Sequence, residues 1–219
     1  MVSVNPPSVK KLLRKEVNFG CPVPGCGNPY LTYHHFDPPR RVREHNEPAG
    51  MIALCLDHAA KADGGAWTND QLRRMKQAPF VTEKTKEQRY NYFRRNIVCS
   101  AGAIIYPVKR ILTVDNEPVI WFERDIEGYD RLNLLIRDST GRVILQMENN
   151  DWIAYAKEIF DLICPPQGRE LQIISKDRRT NFTIRFDQYS LFDFGRLMYD
   201  SGYKRDTTMN VTNMFHYGK

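Results

Sequence analysis

The residues able to do chemistry are concentrated between Cys21 and Asp63, where three of the five cysteines and four of the five histidines fall within about a fifth of the length. Packing preferences do not demand such a density. Spacing separates two sets. Cys21 and Cys26 form C-x4-C around a Pro-Gly turn, and Cys55 and His58 form C-x2-H about thirty residues later. Two short knuckles, each offering two ligands, supply the four corners of a closed tetrahedral zinc site, which is expected to be structural because no coordination position stays open. The second set, His34, His35, Asn46 and Asp63, lies inside the loop that the zinc pairs would close. Imidazoles and a carboxylate can move protons or hold a divalent cation.

Taken together, Cys21 and Cys26, the run Tyr33-His34-His35, the apolar segment Met51-Ile52-Ala53-Leu54 leading into Cys55 and His58, and Asp63 resemble the HNH endonuclease family of bacterial and phage type. The resemblance covers roughly residues 8 to 78. It implies a small zinc-stapled ββα-metal module, with His35 as general base and His34 and Asp63 as ligands of a catalytic cation. Asn46 would orient the loop or the His35 ring. Structural Zn²⁺ is implied, together with catalytic Mg²⁺ or Mn²⁺, and the imidazole ligand also admits Ni²⁺ or Zn²⁺. Two positions depart from the family pattern. Ala59, four residues before Asp63, has no donor atom, and Gly50, five before Cys55, stands where an Asn is expected.

A chain of 219 residues, 42% hydrophobic and 26% charged, can bury a substantial core and has room for two small domains. It has no apolar run of about 18 residues and no N-terminal apolar segment followed by a cleavage site, so neither a membrane span nor secretion is expected. An odd number of cysteines, three of them in ligand positions, fits a reducing cytoplasm. Cys99 and Cys164 sit among apolar neighbours and read as buried thiols. Residues 1 to 95 carry 16 Lys or Arg against 9 Asp or Glu, while the remainder carries 16 against 17. The positive excess therefore lies on the half that holds the candidate site, as a phosphate-backbone partner would require.

The positioning elements follow in order. From Ser8, read as an N-cap, Val9, Leu12, Leu13 and Val17 have helical spacing. A short strand over Tyr30 to Phe36 ends at Asp37-Pro38-Pro39, because proline cannot donate to a ladder. Arg40, Arg41 and Arg43 follow, placed to hold DNA phosphates beside the histidines. Met51 to Leu54 is a second strand and Leu56 to Ala62 a short helix. Thr68-x-x-Gln71 resembles a capping box that opens a helix to about Gln77. Thr82 to Val98 reads as another helix, with Tyr90, Tyr92, Phe93, Arg94 and Arg95 near its end. From Ser100 onward, strands are expected at Ala103–Tyr106, Val119–Arg124, Leu132–Arg137, Val143–Glu148, Leu171–Ser175 and Phe182–Phe186, separated by turn residues.

The fold class expected is α+β. An HNH module with flanking helices spans 1–98, an antiparallel β-rich domain 99–196, and a loosely ordered tail 197–219. The β-rich domain is expected to position substrate, dimerise or dock a regulatory partner. The functional expectation is a cytoplasmic, metal-dependent endonuclease acting on DNA, with RNA left open, in restriction or phage defence. The alternative is a degenerate, zinc-stabilised nucleic-acid-binding or adaptor protein.

Overall fold

Helix α1 (Pro7–Glu16) opens on a proline at its first position, where the missing N–H costs nothing. Pro6 stands at the cap, no side chain caps the helix, and Ser8 lies inside it, which corrects the expected N-cap. Leu13 and Val17 are buried, whereas Leu12 is 44% exposed. The chain leaves α1 through Asn18 and Phe19, both at positive φ, and the Phe19 N–H donates to the Arg14 carbonyl at 2.8 Å. The computed structural model describes residues 6–80, 86–90, 97–100, 104–105, 109–188, 190, 192–193, 195–196 and 213–218.

Strands β1 (Leu31–His35) and β2 (Met51–Cys55) form an antiparallel hairpin in which His34 lies opposite Ile52 and His35 opposite Met51. All five residues of β2 are buried, because α1, α2 (Leu56–Asp63) and α3 (Asn69–Gln77) all pack against it. A strand covered on both faces shows no alternation of polarity. The capping box at α3 is formed in full: the Thr68 hydroxyl accepts from the Gln71 N–H and the Gln71 side chain accepts from the Thr68 N–H.

Most of the regular structure among the remaining described residues is strand, apart from a 3-10 turn at Ala156–Glu158 and helical residues at 192–193 and 195–196. One six-stranded sheet has the order β3 (Lys86–Arg89), β10 (Asp151–Ala154), β9 (Val143–Glu148), β8 (Asp130–Arg137), β7 (Glu117–Arg124), β6 (Arg110–Val114). The other runs β11 (Ile159–Ile163), β12 (Glu170–Ser175), β13 (Asn181–Asp187), β14 (Asn213–Gly218), β4 (Ile97–Ser100), β5 (Ile104–Ile105). All pairings are antiparallel except β14 with β4. Inward residues of both sheets, among them Leu134, Trp152, Ile173 and Phe182, share one core. Two-residue turns at Asp115-Asn116 and Asn149-Asn150, each with positive φ at both positions, close hairpins in the way their sequences allow.

The architecture is α+β, and three expectations change within it. Part of the helix expected over Thr82 to Val98 lies outside the described residues (82–85 and 91–96), but Lys86–Arg89 and Ile97–Val98 are in strands and Tyr90 is fully buried in the β core. The β structure therefore reaches back before residue 98, through a charged run that edge position in a sheet tolerates. The tail is also revised: 197–212 lie outside the described residues, and Asn213–Gly218 pairs with β13 and β4. Strands β6, β10 and β11 were not anticipated; β10 has four residues, too few to display a period. Among the described residues, no helix is long and apolar enough to cross a membrane.

The hairpin module is joined to the sheets by polar contacts inside the protein. The Arg14 guanidinium forks onto Asp161 of β11 at 3.0 and 2.7 Å and donates to the Tyr33 hydroxyl at 2.6 Å, with both charged side chains almost fully buried. The Leu31 N–H donates to the Cys164 carbonyl, and Phe19 inserts into the β core. Arg14→Met should lower stability by about 3–5 kcal/mol, because it strands a buried carboxylate. Adding Asp161→Leu should recover most of that loss, and urea denaturation of the single and double variants measures both.

Candidate metal centre and histidine cleft

Cys21 and Cys26 flank a tight turn whose Gly25 takes φ of 80°, and the Cys26 N–H donates to the Val23 carbonyl at 3.0 Å. Cys55 is the last residue of β2 and His58 lies in the first turn of α2. The four donor atoms lie within 4.8 Å of one another, a Cys3His group that could hold a metal ion. Cys26 Sγ is 3.8 Å from Cys55 Sγ, and His58 Nδ1 is 3.3 Å from the sulfurs of Cys21 and Cys55. A tetrahedral ion with metal–sulfur bonds of about 2.3 Å has sulfur–sulfur edges of about 3.8 Å, so the residues fit one four-coordinate ion. Burial pushes the Cys21 thiol up to about 12, although backbone hydrogen bonds from Cys55 and Val23 act against it. A metal is what would hold that sulfur as a thiolate.

The surroundings orient the imidazole. With Nδ1 turned to the sulfurs, His58 Nε2 lies 3.8 Å from the Asp57 carboxylate, which Lys61 also contacts at 2.8 Å. The Trp67 ring stands edge-on to His58 at 5.8 Å. At that separation Asp57 favours a proton on Nε2 by its charge, without a direct hydrogen bond to the ring. The sequence reading assigned no role to Asp57, although its position beside His58 is the available signal.

A cleft of ≈ 680 Å³ opens beside this centre, lined by His34 and His35, by Ala59 and Asp63 of α2, and by Arg40 and Arg41. His34 Nδ1 lies 3.1 Å from Asp63 Oδ1, so these two predicted ligands do come together. Adjacent corners of an octahedron with bonds of about 2.1 Å are about 3.0 Å apart, so the pair can share a cation. Ala59 lines the same wall without a donor, and among the described residues the Cys3His group is the one cluster of three or more such ligands.

His35 Nε2 is 2.9 Å from the His45 carbonyl, which can only accept. The proton therefore sits on Nε2, and Nδ1 keeps the lone pair. Burial lowers the proton affinity of both imidazoles below the ordinary 6.5; the His45 carbonyl opposes this at His35 and Asp63 opposes it at His34. The role expected of Asn46 falls to its neighbour. Asn46 is exposed and makes no hydrogen bond among the described residues, whereas His45 is buried, receives the Glu47 N–H on Nδ1 and donates from Nε2 to the Pro38 carbonyl. Its ring also meets His35 edge-on at 5.0 Å. A histidine in a polar loop gives little sign in sequence that backbone groups will saturate it.

Gly50 has a steric reason. Its carbonyl accepts from the Phe36 and Asp37 N–H groups, and a Cβ there would collide with the Asp37 carbonyl. No asparagine fits. Of the three arginines, Arg40 pairs with Glu44 at 3.0 Å, Arg43 pairs with Glu47 at 3.1 Å outside the cleft wall, and Arg41 lines the cleft with no acidic partner among the described residues.

No protein-family model matches the chain, and no match is found among curated proteins or solved structures. Elemental analysis should find one tightly held metal ion per chain. Cys55→Ala should lose it, and hydrogen exchange should show the β1–β2 amides opening before those of β8 and β9.

Proposed function

We propose that the chain is a metal-dependent endonuclease of the HNH type, hydrolysing phosphodiester bonds in DNA, with zinc in the Cys3His group as its structural ion. The observation that carries this reading is the pairing of His34 with Asp63 beside His35 in one arginine-lined cleft, on a hairpin held at its far end by the four metal donors. Three cysteines and a histidine in closed tetrahedral array are a ligand set that zinc takes in structural sites.

His35 accepts the proton of the attacking water on Nδ1, while its Nε2–H stays on the His45 carbonyl and holds the ring plane. As the water oxygen bonds to phosphorus, the bond from phosphorus to the 3′ oxygen breaks. His34 and Asp63 would hold the catalytic Mg²⁺ or Mn²⁺, which supplies charge neutralisation for the phosphoryl and leaving oxygens. Arg40 and Arg41 hold the scissile strand through its phosphates. A neutral His35 suits the base role, and burial keeps it neutral at physiological pH. A restriction or phage-defence setting belongs to this proposal.

A second reading has its own observation. Ala59 presents only a methyl group to the cleft, so the cation would have two protein ligands, and a chain that binds nucleic acid without cutting it fits that wall. Supercoiled plasmid with Mg²⁺ or Mn²⁺ decides between them. The nuclease reading expects nicking, a fall of about 10²–10⁴-fold on His35→Ala, and no change on Asn46→Ala. Because burial lowers the His35 proton affinity, more than half of the base is deprotonated at pH 6.5, and the acid limb of the rate should have its midpoint below 6.5. Retained DNA binding with no nicking by the unsubstituted chain selects the second reading.

A further inference from the structure

Lys11 and Lys15 lie one turn apart on α1 and share a face. Both ammonium groups stand over the ring of Phe160 in β11, at 3.5 and 4.3 Å from its centroid, and the Arg178 guanidinium joins them at 4.1 Å. Arg178 reaches this place from the turn between β12 and β13, where it takes φ of 61°. Beside Lys15, a cleft of ≈ 580 Å³ adds Arg142, Lys157 and Lys176 to its walls. Segments far apart in sequence thus bring their cations to one patch.

The neighbouring carboxylates balance them only in part. Asp161 is buried in its fork with Arg14, Glu158 pairs with Arg142 at 3.3 Å, and Asp177, held as a carboxylate by Ser139 and Ser175, is one negative charge against five cations. Lys11, Lys15, Lys157, Lys176 and Arg178 form no ion pair among the described residues, and the buried Asp161 attracts Lys11 only from a distance. One aromatic quadrupole attracts each cation weakly and does not screen three from one another. A polyanion laid over the patch does.

The path between the two clefts points to the kind of polyanion. Lys10 sits over the Tyr33 ring at 5.9 Å, and Tyr33 lines the histidine cleft beside Arg41. Helix α1 therefore carries Lys10 next to that cleft and Lys11 and Lys15 next to Phe160. A line of separated cations ending in a concavity matches the repeat of a phosphodiester backbone better than the plane of an anionic bilayer.

We propose that the cation cluster around Phe160 is a second phosphate-binding surface, holding nucleic-acid backbone that extends from the histidine cleft. The proposal rests on the nuclease reading only for the identity of the polyanion. It gives the β sheets a share in substrate binding.

The test measures anisotropy of a labelled short DNA duplex with the full chain, without added divalent cation, across a salt series. Lys11→Gln/Lys15→Gln/Arg178→Gln should bind about tenfold or more weakly near 0.15 M salt, and its log–log salt slope should shrink by about 2 to 3. Lys157→Gln/Lys176→Gln gives an independent arm if the triple variant melts early. Affinity and slope unchanged in the folded variants would overturn the proposal. So would phosphatidylserine vesicles bound as tightly as duplex and released by the same substitutions. If the unsubstituted chain never cuts but the patch variants lose duplex binding, the nuclease reading fails and this surface stands. If it cuts and the patch variants bind as it does, the surface fails alone.

Discussion

Four electron-pair donors drawn from three segments have to meet within 4.8 Å, and the geometry of the small module follows from that constraint. Cys55 ends β2 and opens α2, so a single residue ties the hairpin to its helix and to the Cys21–Cys26 turn. His58 then sets the roll of α2, and the roll decides that Asp63, at the far end of the same helix, arrives beside His34. The module has its own apolar cluster, centred on β2 with Leu13, Val17, Phe36 and Leu72 packed around it, and a metal ion in the Cys3His group would add to what so small a core supplies.

A second constraint acts across the cleft. The loop from Pro38 to Gly50 has few apolar residues, and hydrogen bonds shape it. His45 spans it through both ring nitrogens, Gly50 lets it approach Asp37, and ion pairs from Arg73 to Asp37 and from Lys76 to Glu16 bind α3 to its neighbours. His35 is oriented by a backbone carbonyl of that loop, so the chemistry of one imidazole depends on the conformation of a segment ten residues away. This is support from outside the first layer of contacts, obtained from backbone groups where side chains are scarce.

Much of this arrangement was readable beforehand. The metal donors follow from spacing, because a closed four-ligand site leaves a periodic trace of paired residues, and β1, β2, α2 and α3 follow from proline stops and a capping box. The approach of His34 to Asp63 could be anticipated only through resemblance, since it depends on how α2 crosses the hairpin. What sequence could not convey was long-range. Arg14 reads as one more cation on a basic helix, yet it is buried because Asp161 waits on a strand 147 residues later. Lys86–Arg89 reads as helix because its charges suit either state, and only pairing with β10 makes it a strand. His45 escaped notice because backbone partners leave no pattern in side-chain identity.

The Arg14–Asp161 fork also orders events in time. During synthesis Arg14 leaves the ribosome long before Asp161, and a lone guanidinium stays hydrated until its carboxylate exists. The hairpin and its four donors can assemble early, but their seat against β11 stays unfinished until that strand has been translated. The sheet containing β11 closes later still, because β14, which follows it in sequence, lies between β13 and β4. Until Asp161 emerges, a nascent chain therefore carries its histidine hairpin without the buried ion pair that ties it to β11.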